Sequence, residues 1–257
     1  MFNNKKISVL HVIEKLNDEE GGLYNIVKNL CKFLPRAKNY IITSQIKNNK
    51  ILNNFSCKVF KLKFINIFYK RLLLDNVDIV HIHGIWSVLN TTVAITAFLR
   101  GIPYVVSPQG MLEPWSLEQK SFKKKIALFL FWKKILYNSN YIIFSSVQEY
   151  KNFLKINNRK NFNYRIIPNG CEPIREFKRN KIKNRKKNLL FLSRLHEKKG
   201  IINLINVFKE LNPSNWNLNI VGSGNKYFLR DLVQLARKNY SGNNIQFLGF
   251  ADDEKKK

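Results

Sequence analysis

The stretch that decides the fold runs from Asp78 to Ser107 and reads DIVHIHGIWSVLNTTVAITAFLRGIPYVVS. Asp78–His83 and Tyr104–Ser107 are short and rich in β-branched or aromatic residues, which predicts two strands. Between them, Ser87–Arg100 has the length and apolar content of a helix, and Gly101 follows it at the position of a C-terminal cap. A strand, a helix and a second strand in this order indicate a parallel sheet covered by helices.

The same alternation continues on both sides of this stretch. It predicts further strands at Ile7–Ile13, Tyr40–Thr43, Lys58–Leu62, Tyr141–Ser145, Arg165–Ile167, Asn188–Leu192, Leu218–Val221 and Ile245–Leu248. It predicts further helices at Leu23–Leu34, Ser121–Tyr137, Val147–Lys155, Ile201–Leu211 and Tyr227–Asn239. Nearly continuous apolar strands are typical of parallel sheets with both faces covered, and such sheets bind ligands beyond the carboxyl ends of their strands. We therefore expect the functional residues in the loops that follow strands.

A charged stretch interrupts this alternation and divides the chain. Residues 175–187 contain eight Lys and Arg residues and almost no apolar ones, which indicates an interdomain linker. The sequence thus predicts a first domain at 1–174, a basic linker at 175–187 and a second domain at 188–257. The last segment has 70 residues, about half of a typical domain, so we expect the second domain to be incomplete.

The balance of charge is strongly basic, with 45 Lys and Arg against 17 Asp and Glu and a formal net charge of +28. Such a charge attracts nucleic acids, acidic lipids or phosphorylated substrates. The alternative is a bias of codon usage, because Lys, Asn and Ile are all abundant and all have A/T-rich codons. The basic residues are spread along the whole chain and no nucleic-acid-binding module is recognisable, so we predict no nucleic-acid partner.

Cysteine and histidine give no sign of a metal site. Cys31, Cys57 and Cys171 are widely spaced, which favours ordinary thiols in a reducing cytosol. His81 and His83 share one face of their strand, but no third ligand is expected near them. We predict no metal and no cofactor. The first apolar run is short and lacks a cleavage site, so we expect a cytoplasmic protein.

The predicted helix Ser121–Tyr137 has two interpretations. Lysines flank its apolar centre, Ile126–Trp132, and a basic helix with Phe and Trp is able to lie on an anionic membrane. Alternatively, the helix covers the sheet and its lysines extend outward to solvent.

Four stretches in a fixed order, followed by two weaker ones, resemble glycosyltransferase family 4. The stretches are Gly21-Gly22, VSPQGMLEPWSL (106–117), IIPNGCE (166–172), FLSRLHEKKGI (191–201), IVGSG (220–224) and IQFLGF (245–250). The resemblance implies a GT-B fold, in which two Rossmann-like domains face a cleft, with the first on the acceptor side. It also implies transfer of a hexosyl group, with retention of configuration, from a nucleotide-diphosphate sugar to a lipid-linked or polysaccharide acceptor, in surface-glycan biosynthesis at the inner face of the membrane.

Four residues are expected to bind the donor pyrophosphate. Gly21 and Gly22 lie at a strand-to-helix turn, where backbone N–H groups and the helix dipole stabilise an anion. Arg194 directly follows an apolar strand and Lys199 precedes the next helix, so their charges are placed to hold a pyrophosphate. The resemblance implies that this pair stabilises the departing nucleotide. The alternatives are a plain tight turn and two solvated cations.

The other candidates for contact with substrate are His83, Gln109, Gly110, Asn169, Gly170 and Gly222. Gln109 departs from the family, in which His or Arg is frequent at this position, and an amide cannot shuttle a proton. No catalytic nucleophile is assigned. The family's Glu-x(7)-Glu motif, which contacts the donor sugar, is also missing from the sequence. A catalytically inactive, truncated remnant with residual acceptor or membrane binding is therefore the alternative function.

Overall fold

A computed structural model describes residues 6–18, 22–62, 76–118, 131–157, 161–171, 187–238 and 244–251 of the chain. The chain divides into two compact units, Met1–Pro173 (unit 1) and Ile174–Lys257 (unit 2). Apart from Lys187, the predicted basic linker lies outside the described residues.

Unit 1 is built on a seven-stranded parallel sheet. Its strands are β1 (Ile7–Ile13), β3 (Ala37–Thr43), β5 (Lys58–Lys61), β6 (Ile79–His83), β7 (Tyr104–Ser107), β8 (Tyr141–Phe144) and β9 (Tyr164–Ile166). They lie in the order β5-β3-β1-β6-β7-β8-β9. Two short strands, β2 (Lys15–Leu16) and β4 (Gln45–Ile46), pair with each other outside this sheet.

The strand order of unit 1 reverses once. The chain passes outward from β1 to β3 and β5, returns to the other side of β1 as β6, and continues outward to β9. The reversal lies between β1 and β6, and in open parallel sheets such a point opens a crevice at the carboxyl ends of the strands. This crevice is therefore the first place to search for a ligand site.

Helices connect these strands where the sequence pattern predicted them, except that the short helix at Pro114–Glu118 was not predicted. They are α1 (Gly22–Phe33), α2 (Val88–Leu99), α3 (Pro114–Glu118), α4 (Lys133–Asn138) and α5 (Val147–Ile156), with a 3-10 turn at Asn49–Asn54. Ser87 caps α2 by accepting a hydrogen bond from the Asn90 backbone N–H at 2.9 Å. Gly101 follows α2 with a φ of 65°, a left-handed conformation that favours glycine, which confirms its predicted capping position.

Two apolar clusters cover the two faces of the sheet. Strand side chains alternate between faces, so the even-numbered residues Leu10, Val12, Val80 and Ile82 pack against α2. The odd-numbered Ile13 and Ile41 pack against α1, which contributes Tyr24, Val27 and Cys31 to the same cluster. Each fully buried aliphatic side chain contributes about 1.5–3 kcal/mol to folding, so the two clusters hold both helices on the sheet.

The described end of the predicted basic helix belongs to the core of unit 1. Trp132, Ile135 and Leu136 are buried in the cluster under α2, while Lys133 and Lys134 extend from the same segment. This part of the chain therefore covers the sheet, as one of the two interpretations expected. Residues 119–130 lie outside the described part of the chain.

Unit 2 repeats the same architecture on a smaller scale. Its parallel strands β10 (Lys187–Leu192), β11 (Trp216–Val221) and β12 (Ile245–Gly249) lie in sequence order. Helices α6 (Ile201–Leu211) and α7 (Lys226–Arg237) follow β10 and β11 and bury their apolar faces against the sheet. Among the described residues, none of the helices combines the length and the apolar character needed to cross a lipid bilayer.

Two cysteines of unit 1 lie close enough to react with each other. Cys31 on α1 and Cys57 before β5 place their Sγ atoms 3.3 Å apart. The hydrogen bond between them raises the pKa of Cys31 and lowers the pKa of Cys57, which favours the thiolate at Cys57. A disulfide needs the sulfur atoms at about 2.05 Å, so a small side-chain movement suffices.

We expect excess oxidised glutathione to join Cys31 and Cys57, because the Cys57 thiolate is the better nucleophile and Cys31 lies beside the mixed disulfide it forms. In a Cys171→Ser variant, which removes the exposed third cysteine, thiol titration of the unfolded protein should show the loss of both remaining thiols without added glutathione mass. A stable glutathione adduct at Cys57 without the internal bond would contradict this expectation.

Candidate functional site

The loops after β6 and β7 form one connected structure at the carboxyl edge of unit 1. The Gly84 backbone N–H donates to the Ser107 carbonyl at 2.8 Å. The Trp86 indole donates to the Met111 carbonyl at 3.2 Å. Trp86 and Gln109 have φ angles of 74° and 54°, which are unfavourable for residues other than glycine. The surrounding contacts thus hold two strained residues at the sheet edge where proteins of this architecture bind ligands.

Four of the predicted site residues meet at this edge. The Gln109 and Asn169 side-chain amides bond to each other through both their oxygen and nitrogen atoms, at 2.9 and 3.3 Å. Gly110 follows Gln109 in the chain. The Gly170 carbonyl accepts from the Asn29 amide of α1 at 3.3 Å. The loops after β7 and β9 are therefore joined by neutral amide groups, which offer both donors and acceptors.

A buried carboxylate that was not predicted from the sequence fixes this edge. Glu149 on α5 is 2% exposed. Its Oε1 accepts from the Gly110 backbone N–H at 2.6 Å, and its Oε2 accepts from the Ser145 backbone N–H and hydroxyl at 2.7 and 2.8 Å. One turn further along α5, the Asn152 amide donates to the Glu113 carboxylate. The spacing Ser146-x-x-Glu149, typical of a capping box, is the signal that marks this glutamate in the sequence.

Three histidines meet on one face of the sheet, beneath α1. His11 on β1 lies opposite His81 on β6, and Ile13 lies opposite His83. His11 Nδ1 and His83 Nε2 are 3.0 Å apart, and His81 Nε2 is 2.8 Å from the Ser107 hydroxyl. The expectation that no third imidazole lies near His81 and His83 is wrong, because β1 and β6 are neighbours in the sheet although distant in the sequence.

Within the described residues, these three histidines lie close enough together to bind a metal ion. Their ligand atoms lie within 4.8 Å of one another. Two of the nitrogens, His11 Nδ1 and His83 Nε2, already bond to each other, so the arrangement also holds together as a network of neutral imidazoles. Nothing in the cluster therefore requires a metal.

Burial keeps all three imidazoles neutral. It lowers the pKa of His11 to about 4, although a hydrogen bond to Asn39 acts in the opposite direction. Burial, and secondarily the nearby His11, lower the pKa of His81 to about 3. Burial also places the pKa of His83 well below 6.5. At neutral pH the cluster accordingly carries no charge.

In unit 2 the loops after β10 and β11 run side by side. The Leu195 backbone N–H donates to the Ser223 carbonyl at 2.8 Å, and Leu195 bridges to Gly224. A Cβ atom at Gly222 would lie 1.8 Å from the Ser193 carbonyl oxygen and 3.7 Å from the Arg194 backbone nitrogen. Only glycine fits there, and the backbone at Ser193 and Arg194 passes close to it.

Both predicted basic residues of unit 2 lie in the connection between β10 and α6. Arg194 follows β10 and is exposed, and Lys199 ends a 3-10 turn that begins at Glu197. Gly200, with a φ of 68°, then starts α6. The backbone N–H groups and dipole at the start of α6 favour an anion beside these cations. In unit 1, Gly22 starts α1 in the same way, whereas Gly21 lies outside the described residues.

Comparison with known proteins agrees with this architecture. "WaaG, a glycosyltransferase involved in lipopolysaccharide biosynthesis" has a TM-score of 0.64 at 15% identity, over 96% of this chain and 71% of its own. A "Trehalose-6-phosphate" protein from E. coli, bound with UDP-2-fluoro glucose, has a TM-score of 0.60 at 13% identity, over 96% and 74%. Identities this low establish the fold alone, and the fold is the GT-B type of glycosyltransferases.

Sequence comparison identifies the family. Residues 21–175, more than half of the chain, match Glycosyltransferase Family 4, and residues 174–257 match Glycosyl transferases group 1. The chain belongs to glycosyltransferase family 4. An "Uncharacterized 41.2 kDa protein in cps region" of Klebsiella pneumoniae is 22% identical over 96% of this chain and 70% of its own length.

We expect Glu149→Gln to destabilise unit 1 by about 1–3 kcal/mol, because an amide replaces one accepting oxygen and removes the charge from the remaining bonds. Urea unfolding followed by tryptophan fluorescence measures the change. In a Trp216→Phe background the remaining tryptophans all belong to unit 1. Glu197→Gln, an exposed glutamate of unit 2, is the control, and equal changes in both variants would contradict the role of Glu149.

The histidines predict a loss of stability in acid. Unfolded His11 and His81 gain protons below about pH 6.5, whereas the folded pKa values are about 4 and about 3. Their contribution is therefore complete above pH 6.5 and falls as the pH decreases, to about 4 for His11 and about 3 for His81. By pH 5 the loss is about 2 kcal/mol per histidine. His11→Gln should flatten this dependence and His196→Gln in unit 2 should not, so an unchanged slope in His11→Gln would refute the assignment.

Proposed function

We propose that this protein transfers a sugar from a nucleoside-diphosphate sugar to a hydroxyl of a lipid-linked or polysaccharide acceptor, with retention of configuration. The observation that carries the proposal is the arrangement at the start of α6. There the exposed cations Arg194 and Lys199 share one strand-to-helix connection, beside a loop in which only glycine fits at position 222.

Pyrophosphate is the ligand chemistry that suits this part of unit 2. A guanidinium binds phosphate oxygens in pairs, an ammonium adds a second charge, and a helix N-terminus offers backbone N–H groups. The absence of a side chain at Gly222 lets its loop pack against Ser193, so this loop lies beside the backbone of Arg194. The UDP-2-fluoro glucose bound to the similar E. coli protein supports a nucleotide sugar as donor.

A neutral polyol suits the carboxyl edge of unit 1. The paired amides of Gln109 and Asn169 offer donors and acceptors without charge, as sugar recognition requires. In the proposed reaction the bond from the anomeric carbon to the diphosphate oxygen breaks. The anomeric carbon then bonds to the acceptor oxygen from the same face, and the hydroxyl proton leaves with the diphosphate. No protein nucleophile takes part, and no metal is assigned to the step.

Surface-glycan assembly at the cytoplasmic face of the membrane is the proposed setting. It is supported by the relative from the Klebsiella pneumoniae cps region and by the lipopolysaccharide role stated for WaaG. The net charge of +28 would favour contact with an anionic membrane that carries the acceptor.

Alanine variants of Arg194 and Lys199 test the donor site. Each should weaken UDP binding in calorimetry by roughly 10- to 100-fold, because each removes a charge-assisted contact worth about 1.5–3 kcal/mol. Sugar transfer from the nucleotide sugar should fall in parallel. Arg237→Ala is the matched control, since this exposed arginine of unit 2 lies at the far end of α7.

Unchanged UDP affinity in the double variant would refute the pyrophosphate assignment. Tight UDP binding by wild type without transfer to any glycan or lipid-linked acceptor would refute the catalytic half of the proposal. In that case the protein would bind the nucleotide without transferring a sugar.

A further inference from the structure

Three buried polar side-chain atoms lack a hydrogen-bond partner among the described residues: Glu14 Oε2, His83 Nδ1 and Asn90 Oδ1. All three lie at the carboxyl ends of β1 and β6. Glu14 directly follows β1, His83 ends β6, and the Asn90 amide donates to the carbonyls of His83 and Gly84 at 3.0 and 2.9 Å. These ends flank the point at which the strand order reverses. The unsatisfied atoms therefore mark the crevice where this class of sheet binds its ligands.

The hydrogen bonds around His83 fix which of its nitrogens carries the proton. The Asn39 Nδ2 group donates to the Cys31 carbonyl at 3.5 Å, so its Oδ1 faces His11 and accepts from His11 Nε2 at 3.2 Å. His11 is neutral, so its Nδ1 has no proton and must accept from His83 Nε2 at 3.0 Å. His83 Nε2 then carries the only proton of that ring. Its Nδ1 has no proton and can only accept a hydrogen bond through its lone pair.

The three unsatisfied atoms have the same polarity. A carboxylate oxygen and an amide oxygen only accept hydrogen bonds, and His83 Nδ1 in this tautomer also only accepts. Leaving one buried acceptor unsatisfied costs about 1–3 kcal/mol, so a ligand that supplies a donor is favoured. A phosphate or carboxylate would bring further lone pairs and be repelled. A hydroxyl group supplies the donor without a charge.

We propose that Asn39 and His11 are positioning residues that hold His83 in its Nε2–H tautomer, so that Nδ1 accepts a hydrogen bond from a sugar hydroxyl. That the hydroxyl belongs to a sugar rests on the proposed function. The relay itself does not, because it follows from the contacts of Asn39, His11 and His83. Low histidine pKa values support it, since a neutral His83 keeps its acceptor at physiological pH.

Nitrogen NMR of the full chain, labelled at the histidine rings, tests the relay directly. In wild type, His83 should show a protonated Nε2 and an unprotonated Nδ1. Asn39→Leu should abolish this single tautomer, whereas Asn39→Asp, measured at about pH 8 where an unpaired histidine is neutral, should retain it. Asn157→Leu, at another buried asparagine of unit 1, controls for destabilisation and should leave His83 unchanged. A protonated Nδ1 in wild type, or an unaltered tautomer in Asn39→Leu, would overturn the proposal.

Titration of the same sample identifies the ligand. One arm adds free glucose, galactose or N-acetylglucosamine, and the other adds the corresponding UDP-sugars, with UDP alone as reference. At least one of these probes should shift the Nδ1 resonance of His83 beyond any change that UDP alone produces, and Asn39→Leu should weaken its binding about tenfold, as expected for one hydrogen bond. A response to free sugars points to the acceptor, and a response to UDP-sugars alone points to the donor sugar.

Two results of this titration would overturn the hydroxyl assignment. One is a His83 resonance that no sugar moves, and the other is a shift that UDP alone reproduces. A shift with free sugar in a protein that binds no UDP would instead refute the donor site at Arg194 and Lys199 and leave the relay intact.

Discussion

The parallel pairing of β1 with β6 is the contact on which unit 1 depends. It joins the two halves of the sheet at the point where the strand order reverses, and its register sets His11 opposite His81 and Ile13 opposite His83. The same pairing opens the crevice between the loops after β1 and β6. A register shift by one residue would turn the histidines to the α2 face and place aliphatic residues where the imidazoles lie.

Outside that pairing, the loops of the site are held by two different physical means. In unit 1 a buried carboxylate, Glu149, orients the backbone at Gly110 through charge-assisted bonds. In unit 2 the loops are held by steric fit, because Gly222 and Gly224 let them approach to distances that a Cβ atom would forbid. The glutamate holds the backbone beside neutral amides, and the glycines bring their loop against the backbone of Ser193 and Arg194. The neutral amides of unit 1 agree with the proposed polyol, and the exposed cations Arg194 and Lys199 of unit 2 agree with the proposed diphosphate.

Several features of the site were predictable because they depend on local sequence. Glycines and basic residues at strand-to-helix turns marked Gly22, Arg194, Lys199 and Gly222, and the strand-following loops carried Gln109, Gly110, Asn169 and Gly170. The structure places Gln109 beside Asn169 and the Gly222 loop beside the backbone of Arg194, and a role of these residues in binding donor or acceptor stays a prediction. The net charge of +28, by contrast, gave no location for any site, since basic residues occur along the whole chain.

The sequence by itself determined the strands of the two main sheets and most of the helices between them, with the exact bounds for β1, β7 and α6, but not β2, β4 or α3. It could do so because hydrophobic periodicity and turn residues act within a few positions of the chain. Only the tertiary structure decided that His11 joins His81 and His83, that Glu149 reaches Gly110, and that Ser193 excludes a side chain at Gly222. Those contacts depend on which strands and helices become neighbours, and the alternation of strand and helix leaves that order open.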